Sequence, residues 1–463
     1  MSFTYAAHQH HHRILKPIWL IAAVAIYSAS ESQSGAALPV YRVIDLTSHF
    51  APASAAIPSD INDLTQVVGQ ATTSGGGRGF FYSGGVVTLL DPLAQSVNDH
   101  STATAVNSLG QIAGYSDELG IPKAAYWVSA AGAPVALDTG GGPDANVYAT
   151  NINDDTTITG FFTSSGGGGV SNWTAVKWQP DSGHPDRFDF TKLNTPVVPP
   201  LGVPAGAFGI NAIGEIVGSG AIDPTLPFEG ALRWNATNVV TPLDTLNGQL
   251  THYYEAVAIN ASSVAVGRYR TTTGVEHAVR WNADGSIVAL GTPEGFTETN
   301  AFDINNDGII VGHARAVANQ VALIYADGDW VDLNLRILNG GGWQLETAVA
   351  INNQGAIVGT GTLDGAPRAF LLSPITLHPG DYNNDGAVDA ADYVVWRKTG
   401  GSQSGHDAWR SNFGRSGGGG SVTAETATIP EPASFATLAA GALPVLLIPS
   451  FSRSKRGEMA ISF

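Results

Sequence analysis

Apolar and polar positions along the chain fall into one phrase that returns seven times. An apolar residue is followed by Asn, then by two or three polar residues, then by two small or apolar residues and Gly. It reads INDLTQVVG from Ile61, VNSLGQIAG from Val106, INDDTTITG from Ile152 and INAIGEIVG from Ile210. It continues as INASSVAVG from Ile259, INNDGIIVG from Ile304 and INNQGAIVG from Ile351. The asparagines are Asn62, Asn107, Asn153, Asn211, Asn260, Asn305 and Asn352, spaced 45, 46, 58, 49, 45 and 47 residues apart. Asn with Gly three places on is the dressing of a tight turn closing a hairpin. The Asn side chain bonds the backbone two residues on, and Gly accepts a positive φ. Thr65, Thr156 and Ser263 replace that Gly in three copies, so those turns are expected to be strained or differently shaped. The alternating apolar residues on either side read as strands.

Each copy runs on into a third apolar stretch ending in an aromatic, such as AAYW at 124–127, AVKW at 175–178, ALRW at 231–234 and AVRW at 278–281. A fourth follows, such as VAL at 135–137 or VDL at 331–333. Four short strands in about 45–50 residues is the size of one propeller blade. A single blade cannot bury both faces of its sheet, whereas seven in a ring cover one another. The seventh copy ends in RAFLL at 368–372 without a fourth strand, while an orphan YRVIDL at 41–46 precedes the first copy. The pattern therefore predicts an all-β, seven-bladed β-propeller over 38–374, closed by the N-terminal strand. An open β-solenoid is the competing topology, and no polar capping repeat supports it.

The 463 residues include 56 Gly, 25 Pro and only 13% charged residues, which suits short strands and many turns. The formal net charge of −17 gives no general attraction to nucleic acid or an anionic membrane. There is no Cys, which removes disulfides, thiolate metal sites and a thiol nucleophile together. At the N-terminus HQHHHRILK at 8–16 supplies a basic start. Ile18–Ile26 is an apolar run too short to span comfortably, and Ser28, Ala29 and Ser30 offer a cleavage region. Residues 1–30 read as a signal peptide, and the histidines are assigned no role.

Two stretches carry the D-x-N-x-D-G spelling of a calcium loop, 303–314 and 381–392. Such a loop needs oxygens at positions 1, 3, 5 and 12, often one at 9, with Gly at 6. In 381–392 these are Asp381, Asn383, Asp385, Asp389 and Asp392, with Gly386 in place and the Ala387 carbonyl at position 7. In 303–314 positions 9 and 12 are Val311 and Ala314, and Asn305 and Gly308 belong to the sixth repeat turn. One calcium site is expected, at 381–392. An amphipathic helix should follow from Ala390, and HDAWRSNFG at 406–414 should form a second. Residues 417–428 begin GGGGS and read as a flexible linker.

Three resemblances extend this picture. The Asn–Gly phrase followed by HAV at 277–279 or RAF at 368–370 resembles the HAF family of bacterial extracellular repeat proteins, which implies a secreted propeller-like protein and carries over no catalytic residue. Residues 375–416 resemble the first half of a dockerin type I module, whose loops also end in Asp. The family docks a cohesin partner through two matched repeats, and the second calcium loop is missing here. Pro430, Glu431 and Pro432, the apolar run from Ala433 to Phe451 and the basic Arg453, Lys455 and Arg456 resemble a PEP-CTERM sorting signal over 429–457. That resemblance implies an exosortase as processing partner. It also implies transient inner-membrane anchoring and a final place at the surface of a Gram-negative-type cell.

Two functions are consistent with these features. The first is a non-catalytic surface or matrix protein whose propeller binds a glycan or a protein. The second is a polysaccharide-degrading hydrolase or lyase on a propeller scaffold. Fold alone does not choose between them. Catalysis needs residues that differ between blades, and just before the repeated Ile the acidic Asp60 and Asp303 break the pattern. They read as a channel-facing carboxylate pair or, better, as turn-capping aspartates. The insertion between copies three and four, with SSGGGGVSNW, DSGHPDRFDF, His184 and Asp186, reads as a loose surface loop. No nucleophile elbow, zinc signature or phosphate loop is present.

Overall fold

The computed structural model describes residues 38–415 except short stretches at 51–54, 75, 95–99, 119, 138–144, 166–170, 198–204, 226–228, 249–252 and 339. The expected signal peptide, linker and sorting segment, with the tail expected to be helical, lie outside the described residues. Among the described residues no helix is long and apolar enough to cross a membrane.

The chain forms a seven-bladed β-propeller. Seven strands line the axis: Ala55–Ile61, Ser101–Val106, Asn146–Ile152, Gly206–Ile210, Tyr253–Ile259, Glu298–Ile304 and Trp343–Ile351. Each is the first strand of a blade and runs into one of the repeated Asn turns. The second, third and fourth strands then pair outward in sequence order. Blade seven lacks a fourth strand of its own, and Val40–Asp45 supplies it, antiparallel to Ala366–Ile375 with Arg42 opposite Ser373 and Asp45 opposite Phe370. One element has no counterpart in the repeat. Ile337–Leu338 adds a short parallel strand outside Val40–Asp45, anchored by Arg336, which donates to the carbonyls of Leu38 and Pro39.

There is no single central core. Seven hydrophobic clusters each draw residues from two adjacent blades, one per seam, with the seam between blades seven and one built from Leu46, Ile61, Phe80, Val358 and Leu371. Water is excluded only by the neighbour, which is why one sheet is unstable and a ring is not. Trp127, Trp178, Trp234 and Trp281 are the largest wholly buried side chains, each on a third strand and three of them at its end. Three of their indoles donate to the carbonyl just past the preceding blade: Trp127 to Asp91, Trp234 to Asn194 and Trp281 to Asp244.

The repeated phrase is explained residue by residue. The Asn side-chain oxygen accepts backbone N–H groups inside its own turn, as from Leu109 at 3.1 Å and Gln111 at 3.0 Å for Asn107. The same amide donates its nitrogen to the backbone carbonyl of the equivalent Asn in the next blade. The links run from Asn62 to Asn107, Asn153, Asn211, Asn260, Asn305 and Asn352, and Asn352 returns to Asn62. The closing Gly of the phrase has a separate cause. A Cβ on Gly69, Gly114, Gly160, Gly218, Gly267, Gly312 or Gly359 would collide with a first-strand carbonyl beside a bulge. Thr65, Thr156 and Ser263 keep the same turn at φ of 58°, 59° and 59°, where Gly110 has 76°. Those turns are strained, not differently shaped.

After the propeller come two helices, α1 (Ala390–Lys398) and α2 (Gln403–Asn412), longer and earlier at its start than the sequence suggests. Tyr393 packs on Trp396 and Trp409 at centroid distances of 5.4 and 5.0 Å, and Trp409 is buried. Arg42 of the closing strand donates to the Asp385 carbonyl, tying this segment to blade seven.

Asn107→Ala removes three bonds inside its turn and one inter-blade bond, leaving the Asn153 carbonyl with the Thr156 N–H alone. It should cost about 2–3 kcal/mol, read as a lower urea midpoint. Thr65→Gly should raise that midpoint by relieving left-handed strain of about 1 kcal/mol. Thr156→Gly should gain less, because its hydroxyl bonds Gln111 at 2.8 Å.

Candidate functional site

The two ends of the axis differ in kind. At the end bearing the Asn turns a cavity of about 320 Å³ is bounded by all seven repeated asparagines and their immediate neighbours. Asp60, Asn151 and Asp303 line it from blades one, three and six, each two residues before its Asn. The two aspartates do reach the channel, but their oxygens are committed to the backbone. Asp60 accepts from Ile61 N at 2.7 Å and, across the seam, from Val106 N at 2.9 Å. Asp303 accepts from Ile304 N at 2.8 Å and from Ile351 N at 2.9 Å in blade seven. They are bridges between blades. Although open to the cavity, both are enclosed by the ring, and burial raises their pKa values. Asp60 is pushed up to about 6, against the pull of its two backbone bonds. Asp303 is pushed up to about 7, burial acting first and the nearby Asp60 charge adding to it.

At the other end the blades stop being alike. The first-strand residue five places before each Asn is Ile57, Thr102, Tyr148, Gly206, Glu255, Asn300 and Thr347 in turn. Its cross-strand partner, eight places after the Asn, is Gln70, Tyr115, Phe161, Ser219, Arg268, His313 and Thr360. Identical register holds them at one level of the channel, so their chemistry is read around the axis. Blades two and three are aromatic at this level, and Trp173 and Phe208 join them from adjoining positions. Tyr115 meets Tyr148 at 5.0 Å, Tyr148 meets Phe161 at 5.1 Å, Phe161 stacks on Trp173 at 4.5 Å, and Phe208 lies 6.3 Å from Phe161. None of the five is fully buried.

Blades four to six are polar. Ser219 donates to Glu229 at 3.0 Å, and the Tyr253 hydroxyl bonds Glu229 and Glu255. The Arg268 guanidinium pairs with Glu255 at 2.6 Å, and Asn300 lies 3.3 Å from His313. Burial raises Glu229 to about 7, with the Glu255 charge adding to the shift and its Ser219 bond opposing it. Burial likewise holds His313 down at about 4, helped by Arg315, so its imidazole is neutral at neutral pH. These residues were not singled out from the sequence. The signal is present, however. Stacking the seven copies on their asparagines shows residue type changing from copy to copy in the columns five before and eight after, as it also does three and six before.

In the loop 381–392 the expected ligands cluster on one turn with Gly386 at φ 85°. Asp381 accepts from Asp385 N and Gly386 N, Asn383 from Asp385 N, Asp385 from Ala387 N, and Asp389 from Ala391 N. Asp392 accepts from Tyr382 N, Asn383 N and Asp389 N, the last completing a capping box. Among the described residues no three acidic or imidazole groups converge closely enough to cage a metal in this conformation. The linker between α1 and α2, residues 399–402, is too short for a second twelve-residue loop.

The insertion after copy three is in part an ordered hairpin, Ser171–Asp181 with His184–Lys192, because DSGHPDRFDF extends the outer strands of blade three. His184 is exposed and lies 3.2 Å from Asp181 across that turn. The Asp186 side chain is outside the described residues.

No family model matches the chain, and no curated protein matches it. Solved propellers do. A catalytically inactive virginiamycin B lyase from Staphylococcus aureus with quinupristin is 10% identical, TM-score 0.44, over 72% of this chain and 99% of that one. The β-propeller domain of the trilobed protease from Pyrococcus furiosus is 9% identical, TM-score 0.45, over 70% and 94%. Puromycin hydrolase is 13% identical, TM-score 0.41, over 62% and 48%. At this distance neither activity nor ligand carries over.

A carboxyl whose pKa is higher folded than unfolded binds its proton more tightly in the fold. Its contribution is present at low pH and lost as pH rises through the folded value. For Asp60 and Asp303 that window is about pH 4 to 7. The thermal midpoint should therefore fall between pH 5 and pH 8. In Asp60→Asn/Asp303→Asn the fall should be shallower, even though that variant is less stable throughout for want of two inter-blade bonds.

Proposed function

We propose that the chain is a secreted, cell-surface propeller that binds an extracellular glycan or protein without turning it over, using the blade-specific end of the channel. One observation carries this reading. At one register level the seven blades carry seven different residue pairs, with the aromatic Tyr115, Tyr148 and Phe161 on blades two and three and hydrogen-bonding groups on blades four to six. Scaffold positions in this chain repeat, as the Asn and Gly columns do. A level where seven equivalent sites hold seven different requirements is better suited to recognition than to packing.

The remaining parts fit delivery and display. Residues 381–392 are proposed to take one calcium ion through Asp381, Asn383, Asp385, Asp389, Asp392 and the Ala387 carbonyl. Asp381 and Asp392 are 8% and 0% exposed and are held by backbone N–H groups, with no ion pair to a cationic side chain among the described residues. Buried carboxylates are costly to keep charged without a cation, and calcium with the loop's oxygens would supply one. Calcium would then fold a small stalk, with docking to a cohesin-like partner a secondary role for its exposed helix faces. An exosortase acting near Pro430–Glu431–Pro432 would release the chain from transient inner-membrane anchoring.

The second reading, a polysaccharide hydrolase or lyase, is favoured by one feature. Burial raises Glu229 to about 7 beside Glu255, and a carboxyl that keeps its proton near neutral pH is suited to act as a general acid.

Purified protein screened against glycan arrays and extracellular proteins should bind without consuming its ligand, and Phe161→Ala and Arg268→Gln should each weaken binding about tenfold or more. Steady product release abolished by Glu229→Gln would replace the non-catalytic reading by the second. Calorimetry with calcium chloride should show one site, absent in Asp381→Ala. Absence of heat in the parent chain would end the metal assignment.

A further inference from the structure

The polar atoms that this fold buries without a hydrogen bond are concentrated in one place. Among the described residues six buried side-chain nitrogens and oxygens lack a hydrogen-bond partner, and four of them are Glu255 Oε2, Arg268 Nε, Asn300 Oδ1 and His313 Nδ1. All four belong to the paired first and second strands of blades five and six, at the variable level of the channel. Asn300 is only 3% exposed. Glu255 Oε2 already pairs with the Arg268 guanidinium at 2.6 Å, and what it has left is a second lone pair to accept with. Arg268 Nε lies 3.8 Å from Glu276 Oε1, too far for one. The Asn300 amide nitrogen faces His313 Nε2 at 3.3 Å; with that nitrogen donating, the imidazole proton sits on Nδ1, which has no partner among the described residues.

Each unmade bond costs about 1–3 kcal/mol. The fold avoids that cost nearly everywhere else, and a buried orphan group points to a missing partner. The four atoms also describe that partner. Two accept, Glu255 Oε2 and Asn300 Oδ1, and two donate, Arg268 Nε and His313 Nδ1. A carboxylate or phosphate only accepts, and it would meet Glu229, Glu255, Glu276 and Glu298, the acids gathered around this cluster. An ammonium only donates, and it would meet Arg268, Arg270 and Arg315. A hydroxyl does both from one atom, so two neighbouring hydroxyls answer two donors and two acceptors together. The same level offers half-exposed Tyr115, Tyr148 and Phe161 on blades two and three, with half-exposed Phe208 of blade four 6.3 Å from Phe161. Aromatic faces are what the C–H face of a sugar ring packs against.

We infer that the variable end of the channel binds a neutral sugar. Blades five and six take a vicinal pair of its hydroxyls, and the aromatic row of blades two to four takes its apolar face. This rests on the ligand-binding reading above and narrows it to one chemical class.

The test is calorimetry of the purified chain against soluble polysaccharides. Neutral glucan, mannan and galactan are set beside alginate and polygalacturonate, with lysine-rich and glutamate-rich peptides as non-sugar controls. At least one neutral glycan should bind. Asn300→Ala, His313→Gln and Tyr148→Ala should each weaken it about tenfold or more, with circular dichroism and the thermal midpoint retained to show a folded ring. Arg268→Gln serves as the second variant if Asn300→Ala fails to fold. Preference for a uronate polymer or a peptide would overturn the sugar assignment while leaving the binding reading intact, as would neutral-glycan binding untouched by these variants. No binding to any probe, with only ordered waters on the four atoms in a crystal soaked with the glycans, would overturn both.

Discussion

The structure depends on a closed cycle of seven side-chain hydrogen bonds. Each repeated Asn satisfies the backbone of its own turn with its oxygen and grips the next blade with its nitrogen, so local turn and global ring are set by one amide. The cycle tolerates no gap. Its last link, Asn352 to Asn62, joins residues 290 apart and forms only when blades one and seven are already neighbours. The seam behind it is apolar and non-directional, and it would accept small rotations. The amides fix the angle at which each blade meets the next, and the indole bonds of Trp127, Trp234 and Trp281 fix it again further out. Inserted residues are therefore expelled to the periphery. The longest interval, 58 residues between Asn153 and Asn211, leaves the inner geometry of blade three unchanged.

Much of this was legible in the sequence because repetition amplifies a weak signal. One such Asn turn predicts little, whereas seven at regular intervals, four of them Asn-x-x-Gly, predict the blade, the number of blades and, from the unpaired Tyr41–Leu46, the manner of closure. The inter-blade role of the asparagines was hidden by the adequacy of a local explanation, since the turn alone accounts for Asn. Ile337–Leu338 had no period to announce it. Asp60 and Asp303 were noticed because they depart from the repeat, but sequence could not say that their second oxygens reach Val106 and Ile351 across the seam.

The recognition level was missed for the opposite reason. Attention to the recurring columns passed over Tyr148, Glu255 and Asn300, which occupy one column and share nothing else. A repeat protein states its scaffold in what it keeps and its chemistry in what it varies. Here the two sit at opposite ends of the same seven strands. The Asn end is closed by bonds among its own residues, and the far end holds atoms with bonds still to give.

The closing strand sets a temporal order on the molecule. Thr47, just past the closing strand, and Ala369 of blade seven's third strand are joined by one hydrogen bond and lie 322 residues apart. At about 5–20 residues per second of synthesis, the earliest strand waits roughly 16–64 seconds for its partner. Through that interval blades one to six have been made but cannot close, and an unpaired edge and two apolar faces stay open to solvent. The ring therefore couples maturation to completeness. A truncated or stalled chain has no partially closed state to rest in, and its first strand remains a handle for chaperones and proteases until the final sheet arrives.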